Sequence, residues 1–258
     1  MRPLDYFYDN PAEGPGHYPQ RFRIFIFTLI RFFFSPFRLK AYGLENVKQG
    51  QAFILAGNHR SYLDPIFVLM ALRPRPARFV AKEEFFSFGP IGRGATWCNA
   101  FPVKRDAGDM KVAKRSVAML KRGELVGIFP EGTRGRGMSD DELRNRKLHE
   151  GIAVIARLSK ASVIPVRLWG TEKISPPDKR LFRFPRITVR FGEPLSFEDV
   201  RYAQLDKGLR LTTFTRDVMQ AIYALEYPQE GSVQGDGGIR KNGNAQEGGG
   251  IREGGKNA

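Results

Sequence analysis

The chain has 258 residues, 42 Lys and Arg against 27 Asp and Glu, and a formal net charge of +15. That length suits one sizeable α/β domain, and Cys98, the single cysteine, excludes an intramolecular disulfide. The three histidines, His17, His59 and His149, form no Cys/His cluster with structural zinc spacing.

The positive excess has a location. The last 31 residues hold four basic and four acidic side chains, so the whole excess lies before Pro228. A surface of that kind favours nucleic acid, anionic lipid or phosphorylated substrates, and charge alone does not choose among them.

In chain order, residues 1–20 carry Pro3, Pro11, Pro15 and Pro19 and read as an irregular extension. They lack the basic start and apolar run of a secretory signal. Residues 21–41 read as an amphipathic helix, rich in phenylalanine and arginine. At about 100° per residue, Arg21, Arg23, Thr28, Arg31 and Ser35 share an arc of about 160°. Ile24, Phe27 and Phe34 fall inside the same arc, so the segregation is imperfect. The run Ile24–Phe34 would be about 16 Å long as a helix, against about 30 Å of bilayer hydrocarbon. The expectation is a helix lying in the membrane interface, basic face outward. The plainer alternative is an amphipathic helix packed on the domain.

Residues 42–227 alternate strand-like and helix-like segments. Strands are expected at Phe53–Ala56, Arg78–Lys82, Ala100–Val103, Leu125–Phe129, Ser162–Leu168 and Ile187–Phe191. Helices are expected at Pro65–Leu72, Asp109–Arg122, Glu150–Ser159 and Leu209–Glu226. The fold class is therefore α/β, with a largely parallel sheet flanked by helices. Residues 228–258 contain ten glycines and no aromatic residue. They cannot bury enough apolar surface to offset their ordering entropy, and disorder is expected.

Within this frame, Asn58-His59-Arg60-Ser61-Tyr62-Leu63-Asp64-Pro65 links an apolar strand to a helix. Pro65 suits the first helical position, which puts Asp64 at or beside the N-cap. A strand-to-helix turn can fold the Asp64 carboxylate back onto the His59 imidazole, which would fix its tautomer and leave a general base. Asp64 as a simple helix cap, with His59 as a loop residue, is the competing reading. These two residues leave both open.

Phe129-Pro130-Glu131-Gly132-Thr133-Arg134 follows another apolar strand. Backbone N–H groups, the Thr133 hydroxyl and the Arg134 guanidinium could all reach phosphate oxygens. A surface turn with a solvated arginine is the plain alternative. Phe101-Pro102-Val103-Lys104-Arg105 ends a further strand with two cations, and Lys82 closes one more. Ligands of open α/β sheets bind beyond the carboxyl ends of strands. His59, Lys82, Arg105 and Arg134 would then share one rim.

Together these motifs resemble the lysophosphatidic acid acyltransferase family of glycerolipid acyltransferases. The family's His-x4-Asp motif matches His59 to Asp64, with Asn58 and Ser61 also fitting. Its second motif is similar to Phe101–Arg105, its Glu-Gly-Thr-Arg motif matches Glu131–Arg134, and its apolar strand with a proline is similar to Val163-Ile164-Pro165-Val166. Order and spacing agree over about residues 42–193. One departure is Asn99, where the family often has glycine; asparagine tolerates the left-handed conformation.

The resemblance implies acyl transfer from acyl-CoA or acyl carrier protein to the free hydroxyl of a lysophospholipid, foremost 1-acyl-glycerol-3-phosphate, giving phosphatidic acid. His59 would be the base and Asp64 its orienting partner. Lys82, Arg105 and Arg134 would bind the acceptor phosphate, with Glu131, Gly132 and Thr133 shaping the site. No metal or cofactor is implied beyond the acyl donor, which is a substrate. Glycerol-3-phosphate or another lyso-lipid is the alternative acceptor. A non-enzymatic basic binder of membrane or nucleic acid fits less well: no nucleic-acid module is recognised, and a binder does not need the His-x4-Asp pair. The expected place is the cytoplasmic face of a membrane, held peripherally or monotopically at an anionic surface.

Overall fold

A computed structural model describes residues 20–72, 77–82, 86, 100–103, 109–132, 139, 142, 150–174 and 183–228. The N-terminal extension and the glycine-rich tail, apart from Gln20 and Pro228, lie outside these residues.

Seven strands form one sheet: β1 Lys40–Tyr42, β2 Phe53–Gly57, β3 Ala77–Lys82, β4 Phe101–Val103, β5 Leu125–Ile128, β6 Ser162–Trp169 and β7 Thr188–Phe191. Their order is β1-β7-β6-β2-β5-β3-β4. The five strands from β6 to β4 run parallel. β7 lies antiparallel to β6, and β1 pairs parallel with β7. The helices are α1 Gln20–Phe34, α2 Asp64–Ala71, α3 Asp109–Lys121, α4 Gly151–Ser159, α5 Val200–Ala203 and α6 Lys207–Ala224. The expected α/β architecture with a largely parallel sheet is the one observed.

Strand β2 is buried along its whole length, as an apolar run in a parallel sheet must be. Its alternation divides the core in two. Phe53 and Leu55 pack with α2 through Phe67, Val68 and Leu69. Ile54 and Ala56 face the layer of α3, α4 and α6, with Ile152, Phe214 and Val218. Pro165, inside β6, falls just before the β7 ladder, which begins at Val166 paired with Phe191. Its missing N–H therefore does not interrupt that ladder.

The N-terminal helix differs from expectation in two ways. It ends at Phe34 rather than continuing to residue 41. Pro36 has no N–H to offer the carbonyl four residues back, and the Ser35 hydroxyl bonds that Phe32 oxygen at 2.8 Å instead. A short 3-10 turn, Ser35–Phe37, and a left-handed Arg38 (φ 46°) then lead into β1. β1 was not among the expected strands, because three half-buried residues carry no alternation to read.

Helix α1 also has two apolar faces. Phe27, Ile30 and Phe34 pack against the α2 side of the core. Phe34 meets Phe37 and Phe67, each at 5.6 Å between ring centroids. Phe27 and Phe34, which break the segregation on the helical wheel, are thus the residues that dock the helix. Phe25, Leu29, Phe32 and Phe33 lie exposed on the other side, Phe32 at 73% and Phe33 at 64%. Among the described residues no helix is long and apolar enough to cross a membrane.

Candidate active site

The parallel strands bring their carboxyl ends to one rim. Ala56 of β2 pairs with Ile128 of β5, Gly57 with Val166 of β6, and Phe79 of β3 with Gly127. Asn58 and His59, Phe129 to Gly132, and the end of β6 therefore stand side by side.

Asn58 anchors the loop. Its side-chain amide, 2% exposed, accepts from Leu168 N–H at 2.7 Å and donates to Leu168 C=O at 3.0 Å. The side chain continues the β2–β6 pairing one step past the last backbone pair. His59 is thereby delivered to the rim at a set position.

Asp64 folds the loop onto itself. The wholly buried carboxylate uses one oxygen, Oδ2, to accept from His59 Nδ1 at 2.9 Å, Arg60 N at 2.7 Å and Ser61 N at 2.8 Å. It is the first residue of α2 and makes no capping bond to that helix; Leu63 is the N-cap and Pro65 the second helical residue. The cap reading of Asp64 is therefore displaced by a loop-closing one. A carboxylate only accepts, so the shared proton belongs to Nδ1, and Nε2 of a neutral ring is left with its lone pair. Such a nitrogen can take a proton from a hydroxyl.

The imidazole has an aromatic floor. Its ring stacks on Phe129 at 4.3 Å and 19°, and Phe129 stacks in turn near Phe79 at 5.7 Å and 23°. Two glycines make room. A Cβ at Gly127 would overlap the Phe79 ring, and one at Gly57 would come within 3.1 Å of Phe129.

Glu131 lies behind the loop rather than out in solvent, at 4% exposure. The turn that carries it closes with Gly132 N–H on Phe129 C=O at 3.1 Å, and Gly132 takes φ 68°, which suits glycine. One carboxylate oxygen accepts from the His59 backbone N–H at 3.4 Å, and the other from the Tyr223 hydroxyl. Burial pushes the Glu131 carboxyl above the ordinary range, and the Tyr223 bond, the His59 N–H and the Arg60 charge pull it back.

The described structure thus gathers His59, Asp64, Glu131 and Gly132. Lys82 ends β3 on the same rim, while its side chain, and all of Arg105, Thr133 and Arg134, lie outside the described residues.

A His–Asp pair at the carboxyl end of a parallel sheet, followed by a Glu-Gly turn, calls for comparison with known proteins. The family model described as Acyltransferase matches residues 38–169, about half of the chain. The chain belongs to the acyltransferase family. A 1-acyl-sn-glycerol-3-phosphate acyltransferase of Bacillus subtilis (strain 168) is 32% identical over 188 residues, spanning 73% of this acyltransferase and 88% of that protein. One from Streptococcus pneumoniae is 28% identical over 162 residues, spanning 62% of this chain and 56% of its own. In fold, the acyltransferase is similar to the crystal structure of the 1-acyl-sn-glycerophosphate acyltransferase from Thermotoga maritima. The TM-score is 0.54 at 23% identity, covering 80% of this chain and 83% of that one. The protein is an enzyme of the acyltransferase class.

Two parts of the acyltransferase site escaped the sequence reading. Phe129 reads in the sequence as a strand end, although an aromatic opening the Pro-Glu-Gly turn is itself a signal for a floor. Tyr223 gave no signal, since in sequence it is one more apolar-stripe residue of α6 beside Phe214, Val218, Met219 and Ile222.

Proposed function

We propose that this acyltransferase moves an acyl group from acyl-CoA or acyl carrier protein to the free hydroxyl of a lysophospholipid, foremost 1-acyl-glycerol-3-phosphate, giving phosphatidic acid. The observation that carries the reading is the 2.9 Å bond from His59 Nδ1 to the buried Asp64 carboxylate. It supports His59 Nε2 as the base. The acceptor oxygen attacks the thioester carbonyl while Nε2 takes its proton, and Asp64 stabilises the imidazolium. The thiolate then leaves and is protonated by that imidazolium, so the products are an ester and a thiol. The acceptor hydroxyl is itself the nucleophile, and no acyl-enzyme is required.

Lys82, Arg105 and Arg134 are proposed to hold the acceptor phosphate. The support is their motif match and the place of β3, β4 and β5 at one rim. Glu131, Gly132 and Thr133 shape that rim.

The acceptor resides in a bilayer, and the proposed means of reaching it is helix α1. Its exposed Phe25, Leu29, Phe32 and Phe33 offer apolar burial, with Arg31 exposed nearby. Each basic residue near an anionic surface adds about 1 kcal/mol. On this reading the enzyme is held peripherally or monotopically on the cytoplasmic face.

A panel of acceptors with one acyl-CoA and one acyl carrier protein donor, products identified by mass spectrometry, tests the proposal. Lysophosphatidic acid should be the best acceptor, and Arg105→Ala and Arg134→Ala should weaken its use more than that of a dephosphorylated analogue. Preference for glycerol-3-phosphate, or equal losses on both acceptors, would overturn the assignment.

A further inference from the structure

We infer that Tyr223, on the C-terminal helix and outside residues 38–169 matched by the family model, is a positioning residue for acyl transfer. Its hydroxyl holds the Glu131 carboxylate within reach of the His59 backbone N–H. The inference rests on His59 as the base.

The geometry is a relay of contacts across three elements. The Tyr223 hydroxyl donates to Glu131 Oε1, and Glu131 Oε2 accepts from His59 N–H at 3.4 Å. That second bond is long and therefore weak. The aim of the carboxylate consequently depends on its other partner. The tyrosine is itself clamped: the Arg167 guanidinium lies 4.4 Å above its ring centroid, and Arg167 Nη1 donates to Ile222 C=O at 3.5 Å. Tyr223 and Arg167 are each 6% exposed. A carboxylate so buried is costly unless its oxygens find donors. Packing alone would be served better by an apolar side chain, whereas a fixed acceptor beneath the base needs the charge and both donors.

This arrangement has a consequence in pH. The groups facing Glu131 are His59 and Arg60 from the loop before α2 and Tyr223 from α6, with Arg167 of β6 behind the tyrosine ring. Burial raises the Glu131 carboxyl, and the Tyr223 hydroxyl is the leading influence that lowers it. Protonating Glu131 turns an acceptor into a donor opposite an N–H or O–H. Without the tyrosine hydroxyl this happens at higher pH.

The test uses the full chain, with 1-oleoyl-lysophosphatidic acid and an acyl-CoA in mixed micelles. Tyr223→Phe keeps the ring under Arg167 and removes only the hydroxyl. It should lower kcat about tenfold or more, a scale set by small misplacements of reacting groups. The acceptor KM should stay nearly unchanged, and the acid limb of kcat should move to higher pH. Glu131→Asp, which keeps the charge and shortens its reach, should lower kcat similarly and provides a second route if Tyr223→Phe folds poorly. In the Glu131→Gln background the tyrosine substitution should add no further loss, since both act through one bond. A wild-type kcat and acid limb in Tyr223→Phe would overturn the inference, as would losses that simply add to those of Glu131→Gln. A lower melting temperature with an unmoved limb would reduce Tyr223 to a packing residue. His59→Ala separates the two readings: retained turnover there removes the base itself, whereas a dead His59→Ala beside a normal Tyr223→Phe removes only the relay.

Discussion

The Asn58 amide and the Leu168 main chain pair through two bonds: Asn58 Oδ1 accepts from Leu168 N–H at 2.7 Å and Nδ2 donates to Leu168 C=O at 3.0 Å. A side chain thus stands in for a strand residue where β2 must stop pairing and turn toward α2. Replacing it with alanine strands a buried donor and acceptor, at about 1–3 kcal/mol for each unsatisfied group. Asn58→Ala should therefore melt several degrees earlier in calorimetry and lose kcat through a misplaced His59. An unchanged melting temperature would show that the loop closes without this bond.

His59→Ala should lose at least about 100-fold in turnover, the usual scale for a general base, and should stay folded. Asp64→Asn should be impaired in both respects. It removes the charge that stabilises the imidazolium and weakens the acceptor on which His59, Arg60 and Ser61 converge. Steady-state rates alongside urea melts separate the two effects; near-normal turnover in either variant would refute the dyad.

Gly127→Ala tests the aromatic floor. The added methyl overlaps Phe79, whose ring neighbours Phe129 beneath His59. Overpacking of this kind costs about 1–3 kcal/mol. Both thermal stability and kcat should fall, and adding Phe79→Leu should restore part of the stability. No rescue by the smaller side chain would place the strain elsewhere.

Glu131 gives a pH-dependent stability with an unusual sign. Its native carboxyl lies above the ordinary 4.5 because burial dominates. The unfolded chain therefore releases this proton first, and wild-type stability falls as pH rises from 4.5 through the native value. Below that window the penalty is absent. Glu131→Gln has no such titration, so urea melts should show the wild type losing ground to the variant as pH rises above 4.5. A constant difference would mean that the carboxylate is not desolvated.

The exposed face of α1 is tested by Phe25→Ser/Phe32→Ser/Phe33→Ser. These side chains lie away from Phe27 and Phe34, which dock the helix, so the melting temperature should change little. Flotation with anionic vesicles should weaken, and turnover on vesicle-borne acceptor should fall more than on dispersed short-chain acceptor. High salt should release the wild type only in part, since screening weakens charge and not apolar burial. Equal vesicle binding by the variant would locate the membrane contact elsewhere.

Much of this protein was legible because it is encoded locally. The apolar runs of β2, β5 and β6 announce buried strands, and Pro65 announces a helix start. The five-residue separation of His59 and Asp64 lies within one turn, so the loop alone brings them together. Tertiary structure decided what joins distant parts of the chain. Glu131 meets Tyr223 across 92 positions, and Asn58 meets Leu168 across 110. The order of strands in the sheet sets those pairs, and no periodicity along the chain records it. The same holds for β1, too short to alternate, and for α1, where the wheel showed an imperfect segregation but not which phenylalanines would find Phe37 and Phe67. A local pattern says which residues leave water; only the packed sheet says what they meet.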